Sequence, residues 1–385
     1  MKFVLSGFFG FANTGDEAML AAMVQHLREV VPDVTIVALS HQPELTRRLH
    51  GIDAVDRSNF RLIAREIAGA DLFVSGSGSL FQDVTSFRSL AYYLGLITMA
   101  RLMGKPVFVY SQGTGPLVRP VSRWLVRLVI DRVSAITLRD EQSRRLLEAL
   151  GVRRPPIRVT ADPAFGLELD ASVRDGGEIL ASEGVPAAAA AGAPVVAVSV
   201  RPWGSRSGYL QAVARAADEA AALLGAAVVY VPFHRPGDVV ASKAAAEIMR
   251  EKSYVLEGEY SPKEIMSVMS RADLVIGMRY HALVFAAACA VPFVALSYDP
   301  KIDGLLSMVG EKPGASVAPA GASAGAPADG EALARKVRDV WARRNEMKAS
   351  LAAARPGLAR AARSAAHLAV ETAIRQDRVL RGVMQ

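Results

Sequence analysis

Cysteine is almost absent from this chain of 385 residues: Cys289 stands alone, inside an apolar run. An internal disulfide is therefore excluded, a cysteine-built zinc site cannot be assembled, and a reducing compartment, the cytoplasm, is the expected setting. Long apolar runs are missing too. The stretch from Ser89 to Ala100, closed by Arg88 and Arg101, has 12 residues, against the ~20 that a membrane-crossing helix needs. The run from Ala282 to Tyr298 contains Pro292 and divides into a helix and a strand. At the N-terminus, Met1-Lys2 and the apolar Phe3 to Ala12 imitate the head of a signal peptide. Gly7 and Gly10 interrupt that run, however, and Asn13-Thr14-Gly15-Asp16-Glu17 follows with no small-residue cleavage pattern, so a first β-strand is expected and no transmembrane helix. There is no long-period repeat, no metal-ligand cluster and no aromatic-rich recognition module. Neither a metal, nor a cofactor, nor a nucleic-acid partner is expected.

What is present is a globular composition, 51% hydrophobic and 22% charged, on a chain too long for one ordinary core. The formal net charge of +7 is uneven: from Arg335 onward there are 12 Lys/Arg against 4 Asp/Glu, which leaves residues 1–334 at a net −1. Either a solvated helix face or a contact with anionic lipid accounts for such a tail. Arg119, Arg123 and Arg127 add a second basic stripe at i, i+4 spacing beside Trp124 and Leu128. Peripheral association with the inner face of a membrane is therefore one expectation for the basic helices.

Strands and helices alternate throughout. Strands are expected at Phe3 to Leu5, Val34 to Leu39, Leu72 to Ser75, Val107 to Ser111, Ala135 to Leu138 and Ile157 to Val159. After Asp162-Pro163 a second set follows at Val195 to Val200, Ala227 to Val231, Leu274 to Ile276 and Pro292 to Leu296. Helical patterns such as Glu17 to Val31, Gln142 to Leu150 and Tyr209 to Leu224 lie between them. The fold class is thus α/β, with two Rossmann-like domains facing a cleft and helices at the C-terminus, an architecture that resembles GT-B glycosyltransferases. The expected division is an N-terminal domain over 1–170 on the acceptor side, a C-terminal domain over 190–312 on the donor side, a flexible Pro/Gly/Ala/Ser linker over 313–330, and basic helices over 331–385, broken at Arg355-Pro356-Gly357. A surface loop is expected at 186–194, close to the domain boundary.

Three glycine-rich loops follow strands. Gly10-Phe-Ala-Asn-Thr-Gly15 has the glycine spacing of a phosphate-binding loop, but Asp16 and Glu17 stand where Lys and Ser/Thr belong, so it is not one. Thr14 is suited to cap a helix there, and Asn13, Asp16 and Glu17 are suited to grip sugar hydroxyls. Ser75 to Asp83 lacks the third glycine of a dinucleotide fingerprint, yet such a turn, opening a helix, can still hold an anion or a sugar, with Ser77 as the candidate contact. Ser111-Gln112-Gly113-Thr114-Gly115-Pro116 repeats the theme, with Gln112 as the candidate.

Cations gather at strand ends: Arg139, Arg201, His234, Lys301, and the pair Arg279 and His281 in the turn before an apolar, Ala-rich helix. In an open parallel sheet that edge is where ligands bind, and at least three of the six are expected to face one. Others have acids close by for pairing, Asp140 and Glu141 after Arg139 and Asp303 after Lys301. His26, His50 and His367 are expected on the surface; His41 follows the second strand, where a core or surface role outweighs ligand contact.

The set of motifs, Gly-Phe-Phe-Gly-Phe-Ala-Asn-Thr-Gly-Asp-Glu-Ala at 7–18, Gly-Ser-Gly-Ser-Leu-Phe-Gln-Asp at 76–83, Gln-Gly-Thr-Gly-Pro-Leu at 112–117, Leu-Arg-Asp at 138–140, Asp-Pro at 162–163 and Met-Arg-Tyr-His-Ala-Leu-Val-Phe-Ala at 278–286, resembles the polysaccharide pyruvyl transferase family, in particular its bacterial cell-wall-anchoring branch. The resemblance implies transfer of pyruvate from phosphoenolpyruvate to a sugar as a cyclic ketal. In that branch the acceptor is N-acetylmannosamine of a lipid-linked secondary cell-wall polymer precursor, and the ketal serves to anchor surface-layer proteins. It also implies that Arg139, His281 and Lys301 are donor-site or catalytic residues, with Arg279 a donor contact and Asp16 and Glu17 on the acceptor side. The chemistry is compatible: a carboxylate and a phosphate call for several cations, and proton transfer suits His281. Two other classes stay open, a nucleotide-sugar glycosyltransferase and a non-enzymatic polyanion-binding protein. The first commonly holds ribose with a carboxylate on the C-terminal-domain helix, and none occurs between Tyr280 and Asp299.

Overall fold

The computed structural model describes residues 1–383 except 77, 85, 187, 188, 190, 191, 204–207 and 317–328, and does not describe the side chains of 376–383. Two compact units divide the chain. The first comprises Met1–Ala12, Asp16–Leu167 and Leu358–Gln385, and the second comprises Asn13–Gly15 and Glu168–Gly357.

In chain order the first part runs β1 (Lys2–Phe9), α1 (Thr14–Val30), β2 (Thr35–Ser40), α2 (Pro43–His50), β3 (Asp53–Asp56), α3 (Phe60–Ala68), β4 (Leu72–Ser75), β5 (Gly78–Phe81), α4 (Phe87–Leu102), β6 (Val107–Thr114), α5 (Pro120–Ile130), β7 (Ala135–Leu138), α6 (Glu141–Ala149) and β8 (Ile157–Val159). All its strand pairs are parallel, in the order β3-β2-β1-β4-β6-β7-β8 with β5 beside β6. The two-residue period of a strand divides the core between the faces of this sheet. Phe3 and Leu5 of β1 join Leu20 and Leu27 of α1 on one side, and Val4 joins Ile63 and Ile67 of α3 and Leu90 of α4 on the other.

The second part runs α7 (Gly176–Ser182), β9 (Val195–Ser199), α8 (Gly208–Leu224), β10 (Ala227–Tyr230), α9 (Gly237–Ile248), β11 (Ser253–Val255), α10 (Pro262–Ser270), β12 (Leu274–Gly277), α11 (Tyr280–Ala288), β13 (Phe293–Ser297), α12 (Pro300–Met308), β14 (Ala315–Ser316), α13 (Gly330–Ala342) and α14 (Arg344–Val383). Its strands are again parallel, in the order β11-β10-β9-β12-β13-β14. Strands β9, β12 and β13 are buried at every residue, as a sheet covered on both faces requires. In both sheets the strand order reverses beside the first strand, between β1 and β4 and between β9 and β12. Those reversals open crevices at the carboxyl edge of each sheet.

Several expectations are corrected. Gly7 does not end the first strand, since β1 continues to Phe9. The segment after Ser75 does not open a helix: β5 pairs with β6 there, and α4 begins only at Phe87. The edge strands β3 and β11 were not anticipated. No break occurs at Arg355-Pro356-Gly357, for α14 runs through Pro356. An interior proline costs roughly 3 kcal/mol, but Ala362, Ala365, Ala366, Ala369 and Val370 beyond it are buried with the first unit's core, which holds the helix in register. The second unit begins at Glu168, and α7 is locked within it, since a Cβ at Gly176 would lie 2.3 Å from the Ser267 carbonyl oxygen of α10. Much of the expected linker, 317–328, and part of the expected loop at 186–194 lie outside the described residues.

Candidate active site

Around the reversal in the second sheet, four adjacent strands deliver the predicted cations. Arg201 follows β9, His234 follows β10, Arg279 and His281 follow β12, and Lys301 follows β13. Arg279 lies in the short connection from β12 to α11 and Lys301 just after the one from β13 to α12, and the fold places at one edge what the sequence spreads over a hundred residues.

The centre of the group is a residue the sequence reading passed over, Tyr298. Its hydroxyl lies 2.9 Å from Arg201 Nη1. The Arg201 guanidinium carbon stands 5.1 Å from the phenol ring centroid and 5.2 Å from that of Trp203, and Lys301 Nζ stands 5.7 Å from the phenol ring. Burial alone raises a phenol, yet Lys301, Arg201 and Arg279 around it, with the Arg201 hydrogen bond, outweigh burial and bring Tyr298 below its ordinary value. A buried phenol shifted downward has net positive surroundings. Among the described residues, Arg201 Nε is buried with no hydrogen-bond partner. Lys301, only partly buried, has Asp299 Oδ2 at 3.4 Å, and Asp299 also caps α12 through the Lys301 amide. Tyr298 was legible by the same strand-end logic that found the cations, had that logic been extended to phenols.

Arg279 is more committed than expected. Its Nε donates to Asp238 Oδ2 at 2.8 Å and its Nη2 to Oδ1. Asp238 is fully buried at the start of α9 and also accepts the amides of Phe233 and His234 at 3.1 and 3.0 Å. One carboxylate thus fixes both the loop after β10 and the fork of Arg279. At Arg279, the residue that begins α11, no side chain caps the helix.

His281 lies in the first turn of α11 and packs on the segment Asn13–Gly15. A Cβ at Gly15 would stand 2.0 Å from His281 Nδ1. The segment is pinned by its own backbone, with Thr14 N donating to Phe233 O at 2.7 Å and Asn13 bridging to His234. Asn13 rather than Thr14 caps the start of α1, its Oδ1 accepting the Gly15 amide at 3.1 Å.

In the first unit three candidate contacts turn out to be supports. Glu17 is 3% exposed; its Oε1 accepts the Gly10 amide at 2.7 Å and its Oε2 meets His50 Nε2 at 2.8 Å. One carboxylate oxygen therefore holds the loop and the other meets the end of α2, where His50 is buried rather than on the surface. His26 is buried too, packed on Gly166. Gln112 is fully buried, its amide nitrogen donating to Gly78 O at 2.9 Å, which ties β6 to β5. Arg139, 2% exposed, reaches Asp162 at 3.5 Å, Asp140 at 3.6 Å and Ser79 Oγ at 3.0 Å, and packs on Gly113. The arginine and the wholly buried Asp162 are thus withdrawn from solvent together, and Arg139 braces the glycine loops. Asp16 stays partly exposed, near Gly78; Ser77 lies outside the described residues.

Three comparisons bear on this arrangement. The polysaccharide pyruvyl transferase family matches residues 13–300, and the chain belongs to that family. The amylovoran biosynthesis protein AmsJ of Erwinia amylovora is 24% identical over 255 residues, 62% of this chain and 60% of that protein, so the chain spans about 60% of that relative's length. Among solved structures, the UDP-GlcNAc 2-epimerase of Neisseria meningitidis bound to UDP-GlcNAc is similar with a TM-score of 0.63 at 10% identity, over 97% of this chain and 100% of that one. The Anabaena protein HepE in complex with UDP-glucose matches with a TM-score of 0.57 at 14% identity, over 99% and 100%. A glycosyltransferase of Rickettsia africae matches with 0.55 at 13%, over 98% and 97%. At such identities these likenesses establish the fold, α/β of the GT-B kind, and nothing about ligands.

Proposed function

We propose that the chain transfers pyruvate from phosphoenolpyruvate to a sugar of a polysaccharide precursor, forming a cyclic ketal and releasing phosphate. The observation that carries this reading is the convergence of Arg201 and Lys301 on the buried Tyr298, at the carboxyl edge of the sheet whose strand-order reversal also delivers Arg279 and His281. Phosphoenolpyruvate brings a carboxylate and a phosphate, the two groups that a guanidinium and an ammonium at a helix start bind well.

The steps balance with the groups at hand. A proton passes to the methylene carbon, one sugar hydroxyl adds at C2, the C2–O bond to phosphate breaks, and a second hydroxyl closes the ketal while its proton leaves with the phosphate. His281 is the proton donor and acceptor in this scheme, held in place by the Gly15 backbone; Lys301 and Arg201 stabilise the charge gathering on the leaving phosphate. Asp16 is the acceptor-side contact of the first unit. The acceptor named by the motif resemblance is N-acetylmannosamine of a lipid-linked secondary cell-wall polymer precursor, with surface-layer anchoring as its outcome.

The test is acceptor-dependent phosphate release from phosphoenolpyruvate, with the product's mass showing the added pyruvyl group. His281→Ala in a folded protein should lose about 10²–10⁴-fold in rate. Turnover within a few-fold of the parent, or transfer from a UDP-sugar instead, would overturn the reading.

A further inference from the structure

Between Asp83 and Asp131 the chain contains no acidic residue and six basic ones, Arg88, Arg101, Lys105, Arg119, Arg123 and Arg127. The helices α4 and α5 in this stretch pack against one another in the first unit. On these helices and in the segment before α5, large apolar side chains stand in water: Leu102 is 84% exposed, Val118 66%, Trp124 60% and Val121 49%. An apolar groove of about 560 Å³ lies between the two helices, lined by Leu94, Thr98, Met99, Leu102, Leu125 and Val129.

The charges on this face make no close ion pair, although Asp83 lies near enough to Arg119, and Asp131 to Arg127, to feel their charge. Arg123 Nε donates to a backbone carbonyl, Leu117 O, and Arg119 lies over the Phe87 ring. Among the described residues none of the six basic side chains pairs with a carboxylate. The two bounding acids are turned to backbone instead, Asp83 accepting the amides of Val118 and Arg119, and Asp131 those of Arg153 and Arg154. Helix α13 and the residue after it differ: Arg335, Lys336, Arg338 and Arg343 each meet Asp or Glu side chains within 4 Å.

We infer that the α4–α5 face docks on an anionic phospholipid bilayer, with Arg119, Arg123 and Arg127 at the headgroups, Trp124 and Leu102 in the interface, and the groove taking a lipid acyl chain. Exposed apolar side chains interleaved with arginines, with no acid among them, are the pattern of an interfacial helix surface. A second copy of the chain is a poor occupant, because an isologous contact would set one acid-free basic face against another. The inference is independent of the donor chemistry above and moves the expected membrane contact from the tail to α4 and α5.

The experiment is co-sedimentation of the full chain with vesicles of phosphatidylcholine alone and of phosphatidylcholine with phosphatidylglycerol, at low and high salt. Binding is expected to the anionic vesicles, weakened by salt, with a blue shift of tryptophan emission that Trp124→Phe removes. At about fivefold per basic residue near the surface, Arg119→Ala/Arg123→Ala/Arg127→Ala should weaken binding on the order of a hundredfold. These side chains are exposed, so the fold should survive, and far-UV circular dichroism checks it. Leu102→Ser should weaken binding without changing its salt dependence. Equal binding to both vesicle types would overturn the inference. So would loss caused by Lys348→Ala/Arg355→Ala/Arg360→Ala but not by the α5 changes, or salt-insensitive self-association in place of vesicle binding.

Discussion

Gly15→Ala should be harmful where helix propensity says it should help. Replacing glycine by alanine inside a helix ordinarily gains about 0.5–1 kcal/mol. Here the new methyl would stand 2.0 Å from His281 Nδ1 and 2.5 Å from its Cγ. Ordinary non-bonded contact begins at about 3.5 Å, so the imidazole must retreat by about 1.5 Å. Overpacking of this kind costs about 1–3 kcal/mol, which leaves a net loss of about 1 kcal/mol after the helix gain. The effect on turnover should be larger, because displacing a reacting group by about 1 Å can cost on the order of 100-fold. Urea unfolding and phosphate-release kinetics measure the two quantities, and a double-mutant cycle with His281→Ala isolates the clash. With the ring gone, Gly15→Ala should cease to destabilise. If Gly15→Ala is as stable as the parent and turns over within a few-fold of it, the imidazole does not rest on Gly15 and its positioning role is wrong.

Asp162→Ala should destabilise by about 3–5 kcal/mol in denaturant unfolding, because it strips a buried arginine of its main partner; a loss below about 1 kcal/mol would show Arg139 well compensated by Asp140 and Ser79. Tyr298 should ionise below the usual tyrosine range in an ultraviolet titration compared with Tyr298→Phe, and Lys301→Ala should raise it. Because the folded value is depressed, this group's contribution to stability is fully present above the unfolded tyrosine value near 10 and fades as pH falls through the folded value. Pro356→Ala should raise the unfolding midpoint, as the helix regains an interior hydrogen bond; an unchanged midpoint would mean that the helix has relaxed around the proline at no cost.

The central strands were legible because a parallel strand covered on both faces reads as a short, continuous apolar run. Leu72 to Ser75 and Ala135 to Leu138 match the observed strands to the residue. The edge strands β3 and β11 were not, since Asp53-Ala-Val-Asp56 pairs on one side only and shows no such run, whereas the edge strand β8 was read at Ile157 to Val159. Site reading meets a characteristic limit. A cation at a strand end looks the same whether it faces a ligand or a buried acid 23 residues away, as Arg139 does with Asp162. Glu17 and His50 meet across 33 residues, and no spacing rule connects them. Arg201, Arg279, His281 and Lys301 came together as a group because one fold rule, ligands at the carboxyl edge beside a strand-order reversal, acts on all four. Their organising residue, Tyr298, also follows a strand but carries no charge, so a search confined to cations passes it by.

Titration calorimetry of phosphoenolpyruvate into the intact protein, beside Arg201→Ala and Lys301→Ala, tests most directly whether this cluster is a donor site. Phosphoenolpyruvate should bind, each variant should weaken it by roughly 10–100-fold, as loss of a charge-assisted hydrogen bond does, and UDP-sugars should not compete. No binding, or binding indifferent to both substitutions, would contradict the assignment.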